Sequence, residues 1–216
     1  MRARMSLTIG MGVLFTALVL GPMGQAAAPV KTTEPPGLVG LAPGVMYDPI
    51  LTAGDVVGNY QMTGVPDGGG FWFRGWGHGG LTWVFDHELA DKNQYPDPAL
   101  GAGDNFGSRV SALTLNRNGA VTSAKHIVRG TESYVWFCSG NLTVLDGNPW
   151  YFTGEEDTFG VHGGTSIAVD VRKGTFKDLP WFGFFGHEQE IPVQGLGRAT
   201  VMLSEDGPKS KSQMYQ

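Results

Sequence analysis

Three aromatic segments of the 216-residue chain end on a glutamate with the same spacing: Trp83-Val-Phe85-Asp-His-Glu88, Trp150-Tyr-Phe152-Thr-Gly-Glu155-Glu156 and Phe185-Gly-His187-Glu188. In each, a phenylalanine stands three residues before the acid, and in the first two a tryptophan stands two residues earlier still. Aromatic runs suit strands, whereas a carboxylate is rarely taken out of water without a partner. Apolar strands that repeatedly end in Glu therefore point to carboxylates converging on a cation.

The segment after each acid extends the repeat. The alternating stretches Arg109–Leu115, Ser166–Val171 and Arg198–Leu203 run into the dipeptides Asn118-Gly119, Lys173-Gly174 and Asp206-Gly207, which are β-hairpin signals. Glu155 to Gly174 and Glu188 to Gly207 are both 19 residues, while Glu88 to Gly119 is 31, the excess falling in the Pro/Gly-rich stretch Tyr95–Asp104. The predicted unit is strand, acid, loop, strand, hairpin. Such units fit blades of a β-propeller better than a sandwich, because loops at one rim can gather ligands around a central channel. The expected fold is all-β, a partial β-propeller over residues 71–216. Three units fall short of the four to eight blades of a closed propeller, so further blades come from another chain or are lacking.

Composition agrees. The 34 glycines, 13 prolines, six tryptophans and twelve phenylalanines suit strands and turns, and no segment beyond the N-terminus keeps helical periodicity over three turns. A net charge of -5 without a Lys/Arg cluster excludes nucleic acid as the expected partner. Residues 1–26 read as a signal peptide, with Arg2 and Arg4 ahead of an apolar Leu7–Leu20 and a small-residue cleavage region between Gly24 and Ala28. The apolar run is shorter than the ~20 residues that span a bilayer, so no membrane span is expected after cleavage, and the mature chain is expected to be periplasmic or extracellular. Residues 27–70 read as a Pro/Gly-rich lead-in, with a mobile linker over Val30–Pro36 and a flexible joint at Gly68-Gly69-Gly70.

Cys138 is the single cysteine, so no internal disulfide can form. Two readings of Trp136-Phe137-Cys138 stand side by side: a small buried hydrophobe, or a thiolate metal ligand on a loop that returns to Glu155-Glu156. His87 and His187 are likewise either metal ligands or hydrogen-bonded structural residues. The His78-Gly-Gly80 and His162-Gly-Gly164 turns lack an accompanying Gly-x-Ser-x-Gly elbow, which argues against a serine hydrolase. Asn141-Leu-Thr143 matches a glycosylation sequon but reads as a chance match.

The ordered set Asp86-His-Glu88-Leu, Cys138-Ser-Gly, Trp150-x-x-Thr153-Gly-Glu155-Glu156 and Leu179-Pro-x-x-Gly183-x-x-Gly-His187-Glu188 resembles the PhoX-type alkaline phosphatases over roughly residues 80–216. That resemblance implies a partial member of an exported, calcium-dependent β-propeller family that hydrolyses phosphomonoesters with calcium and iron. It implies a phosphate ester or another small molecule as substrate, Cys138 as an iron-bridging thiolate, and Glu88, Glu155, Glu156 and Glu188 as calcium or iron ligands. The chain departs from the family in one place. Gly183–Glu188 contains no arginine where the phosphatases have one, leaving Arg74, Arg109 or Arg198 as alternatives for holding phosphate. The second functional class is a noncatalytic, calcium-stabilised propeller that serves as a binding module.

Overall fold

The computed structural model describes residues 28–38, 40, 42–89, 107–195, 200–207 and 211–216. The expected signal peptide, the Tyr95–Asp104 insertion and Arg198 lie outside them. Among the described residues thirteen strands run in order: β1 (Val56–Val57), β2 (Tyr60–Gln61), β3 (Pro66–Phe73), β4 (Leu81–His87), β5 (Arg109–Leu115), β6 (Val121–Val128), β7 (Phe137–Leu145), β8 (Asn148–Glu155), β9 (Ser166–Asp170), β10 (Thr175–Asp178), β11 (His187–Val193), β12 (Thr200–Glu205) and β13 (Met214–Tyr215). The only helical elements among the described residues are three short 3-10 turns. No helix there is long and apolar enough to cross a membrane.

Four antiparallel sheets result. A two-stranded hairpin, β1-β2, precedes a first sheet in the order β3-β4-β5-β6. The second sheet pairs β7 through β10 in the same sequential manner, and the third pairs β11-β12-β13. The fold is thus all-β and made of successive meanders, and the described residues form neither a closed barrel nor a closed ring.

Local chemistry explains the turns. Asn118-Gly119 joins β5 to β6, with Gly119 at φ +74° and the Asn116 side chain accepting from the amides of Asn118 and Ala120. Lys173-Gly174 joins β9 to β10. A further tight turn, Asp146-Gly147, joins β7 to β8 with both residues at positive φ, the geometry that favours Asp-Gly in two-residue hairpins.

Successive strand residues point to opposite faces, and the first and second sheets are covered on both. Val84, Val110 and Ala112 of the first sheet meet Phe137, Tyr151, Ile167 and Val169 of the second in one core. On the other face of the first sheet, Phe85, Leu113 and Leu115 pack under Tyr60 and Met62 of the lead-in. Phe152 and Ala168 carry the second sheet's outer face against Leu179. Double-sided burial explains why β9 is apolar-rich and fully buried rather than alternating.

Three expectations from the sequence change here. Gly68–Gly70 are not a joint but lie inside β3, where a side chain at Gly68 would overlap the backbone of Gly140 on β7 and one at Gly70 would strike Leu142. Val30 is not in a mobile linker. Its amide donates to Val121 O and its carbonyl accepts from Val121 N, both at 2.8 Å. The third aromatic-Glu motif does not end a second strand as the first two do; His187-Glu188 opens β11, the first strand of its sheet.

The lead-in is held by a buried polar hub. His87 Nδ1 donates to Gly64 O at 2.9 Å, which leaves Nε2 to accept from Ser111 Oγ at 2.7 Å. Ser111 Oγ in turn accepts from Tyr60 OH and His126 Nδ1, each at 3.1 Å. Burial pushes both histidines down to about 3 and the Arg109 guanidinium adds to it, so each ring is neutral. His87 therefore has the structural role of its two readings.

Neutral burial makes these rings sensitive to acid. Between pH 6.5 and about 3 the unfolded chain protonates His126 while the folded chain does not, so stability falls as pH falls through that window. His126→Gln is expected to flatten this acid limb by up to one proton in the slope of unfolding free energy against pH. Urea melts from pH 4 to 7 check it, and an unchanged slope would show that His126 is not held neutral.

Candidate metal centre

Strand register defines equivalent positions in the three meanders. Each first ladder starts from one pair: Pro66 with His87, Phe137 with Glu155, and His187 with Glu205. Just outside each pair the same backbone bond recurs, from Glu88 N to Val65 O at 3.0 Å, from Glu156 N to Trp136 O at 2.8 Å and from Asp206 N to Gly186 O at 2.8 Å. One residue inside each first strand stand Asp67, Cys138 and Glu188. One residue beyond each second strand stand Glu88, Glu156 and Asp206. Each sheet thus contributes two donor positions at the same end.

A register shift accompanies the inner position in every case, between Pro66 and Gly69, Cys138 and Asn141, and His187 and Gln189. Bulges of this kind release a side chain from the ladder and re-aim it. Here they turn toward one another. Cys138, Glu156 and Glu188 offer ligand atoms that all lie within 4.8 Å of each other, with Cys138 Sγ 3.9 Å from Glu188 Oε2. Ser139 links two sheets to this group, its hydroxyl donating to Glu188 Oε1 at 2.9 Å and its amide to Asp67 Oδ2 at 2.6 Å.

The electrostatics show crowding. Burial raises the Glu88 carboxyl, and the charges of Asp67 and Glu188 add to it. Glu156 is pushed up to about 7 by burial, by a hydrogen bond shared with Asp206 and by the charges of Asp206, Glu88 and Glu188. Burial pushes the Cys138 thiol up to about 12, again with acidic neighbours contributing. Like charges this close must share protons or a cation. Cys138, Glu156 and Glu188 are of a kind that could hold a cation, two carboxylates being hard oxygen ligands and one thiol a soft one.

An open cleft of about 730 Å³ lies over the group, walled by Glu88, Trp136, Glu156, Phe159, Phe184 and Asp206. Lysine and arginine are both missing from its described lining. Arg74 stands beyond the far end of β3, and Arg109 is buried beside His87 and His126.

One step further into the sheets lies a second, fully buried polar layer. Asp86 accepts from Thr153 Oγ1 at 2.5 Å, and Glu190 accepts from Ser166 Oγ at 2.6 Å. Burial pushes both carboxyls up to about 7. His187 Nδ1 is 3.3 Å from Glu190 Oε1, and burial lowers its ring to about 4, so the imidazole is neutral; both side chains are fully buried.

Of the residues singled out from sequence, Cys138, Glu156 and Glu188 come together, and Glu88 lines the cleft beside Glu156. Glu155 does not join them. It is adjacent to Glu156 on a strand and faces the opposite way, fully buried, where it accepts from the amides of Val135 at 2.9 Å, Gly164 at 3.0 Å and Thr165 at 3.2 Å. Asp67 and Asp206 are donors that sequence reasoning missed. The signal that finds them is the register equivalence with Cys138 and Glu156, which requires correct strand pairing. The class of protein defined is an all-β chain of stacked antiparallel meanders with a carboxylate-thiol cluster at one end. Comparison with family models, curated proteins and solved structures returns no match.

Proposed function

We propose that this chain is an exported, metal-dependent phosphatase-like protein, built as part of a β-propeller and acting on phosphomonoesters. The observation that carries the reading is the convergence of Cys138, Glu156 and Glu188, whose ligand atoms all lie within 4.8 Å of one another, beside a cleft lined by Glu88, Glu156 and Asp206. Cys138 would hold iron, and Asp67, Glu88, Glu156, Glu188 and Asp206 would hold calcium or share the iron. Bound cations would supply polarisation of a phosphoryl oxygen and neutralisation of developing charge. The residues of the chain bring the donors together, with Ser139 orienting Glu188 and Asp67. The exposed aromatics Trp136, Phe159 and Phe184 line the open cleft beside these donors. Sequential antiparallel meanders support the fold part of the reading.

A second reading is favoured by the absence of any Lys or Arg along the described cleft lining: a noncatalytic propeller in which calcium ties the sheets together and the rim binds a partner. Elemental analysis and turnover of a chromogenic phosphomonoester by the purified chain separate the two. Iron with turnover supports the hydrolase; calcium without iron and without turnover supports the binding module. In both readings chelation is expected to lower the melting temperature. Losing a cation present at 100 times its Kd removes about 2.7 kcal/mol, or roughly 5–10 °C for a chain of this size. An unchanged melting curve on chelation, with no metal in the purified protein, would overturn both.

A further inference from the structure

A second concavity lies at the opposite end of the first sheet. Asp67 is near the start of β3 and Trp72 near its end, so the two sites are separated by about 17 Å of extended strand. The concavity has a volume of about 320 Å³ and sits where the first sheet meets the β9–β10 turn of the second. Its described charged lining is Arg74, Lys125 and Arg172, with no acid among the described wall residues.

The concentration of positive charge is unusual for a chain of net charge -5. The ion pairs formed by Lys and Arg among the described residues are Lys31 with Asp48 and Lys173 with Asp170; none involves these three cations. They are nevertheless held in place. The guanidinium carbons of Arg74 and Arg172 lie 5.0 and 5.2 Å from the centre of the Trp72 ring, within cation–π range, and Arg172 Nη2 donates to Gly147 O at 2.9 Å. Arg74 lies against Gly79 and Lys125 against Gly174, at φ +105° and +68°, and a side chain at either glycine would collide with the cation beside it. The hydroxyls of Thr82, Thr114 and Ser123 complete the wall with neutral donors.

We propose that Arg74, Lys125 and Arg172 form a metal-independent binding site for the phosphate or sulfate group of a small molecule. Three cations and three hydroxyls match a tetrahedral dianion, whose several oxygens accept from guanidinium forks and hydroxyls together. The volume is at the lower end of small-molecule pockets. A nucleic acid would need a basic track along the surface, and the cations here converge on one hollow instead.

The test is calorimetric titration of the full chain with sodium phosphate and with sodium sulfate, in the presence of chelator, against sodium chloride at matched ionic strength. Saturable binding of phosphate, sulfate or both is expected, and their relative affinities identify which group the site takes. Lys125→Gln combined with Arg172→Gln should weaken it at least tenfold. Both side chains are exposed, and an unchanged near-ultraviolet dichroism spectrum confirms that the variant folds. Glu156→Gln, in the metal centre, should leave the affinity unaltered. The proposal is overturned by binding no better than chloride, by binding that survives the double substitution, or by binding that is lost with Glu156→Gln.

Discussion

On the proposed metal-dependent reading, Cys138→Ser is expected to remove iron from the purified protein while leaving calcium and most of the stability. The thiol would be the single soft ligand beside carboxylate oxygens, and it stands 3.9 Å from Glu188 at the meeting point of two sheets. Serine keeps the size and the neighbouring hydrogen bonds of Ser139 but supplies no thiolate. Removal of a direct ligand should exceed the 10–100-fold loss typical of outer-shell changes, so iron affinity should fall by more than about 100-fold. A half-buried position at the start of β7 leaves little packing to lose, and the melting temperature should move by no more than a few degrees. Iron that is unchanged in the variant, or missing from the wild type, would remove the thiolate assignment. A large fall in stability with no change in metal would return Cys138 to the core role.

Gly68→Ala is expected to have the largest effect on stability. Its added methyl would overlap the amide nitrogen of Gly140 and crowd the carbonyl carbon of Ser139, all of it backbone on β7 that cannot rotate aside. Relief requires moving β3 away from β7, which disturbs the core shared by Val84, Phe137 and Tyr151 and the bond from Tyr151 OH to Gly68 O. Overpacking against backbone belongs with the costliest substitutions, about 4 kcal/mol or more, equivalent to roughly 8–16 °C in melting temperature. Metal affinity should fall with it, because Asp67 and Ser139 flank the contact and bond to each other. A melting temperature within 2 °C of wild type would show that the two sheets are not in backbone contact at this point.

Much of the fold was legible because hairpin chemistry is local. Asn118-Gly119 and Lys173-Gly174 announce turns from two residues, and the aromatic runs around Phe85 and Phe152 announce buried strands. The proximity of Cys138, Glu156 and Glu188 was legible because carboxylates and a lone thiol beside apolar strands require a reason. The hidden part depends on pairing. Glu155 and Glu156 differ only in which face of the chain they occupy at the end of β8, and a one-residue difference reverses the face. The phase of the third motif was misread because Phe185-Gly-His187-Glu188 imitates the spacing of the other two while opening a strand. Asp67 sits inside a glycine-rich stretch that looks like a joint, since nothing local reports that Gly68 and Gly70 lie against a neighbouring sheet.

The donor positions sit at points where the backbone has already completed its own hydrogen bonds. Val65, Trp136 and Gly186 accept from the residue after each second strand whatever side chain that residue bears, and the bulge one step away likewise frees the inner side chain. The frame therefore tolerates substitution at six places without being rewritten. It already holds Asp, Cys and Glu at the inner position and Glu, Glu and Asp at the outer one. Side-chain chemistry at the rim and the backbone pairing that positions it are for this reason separable features of the chain.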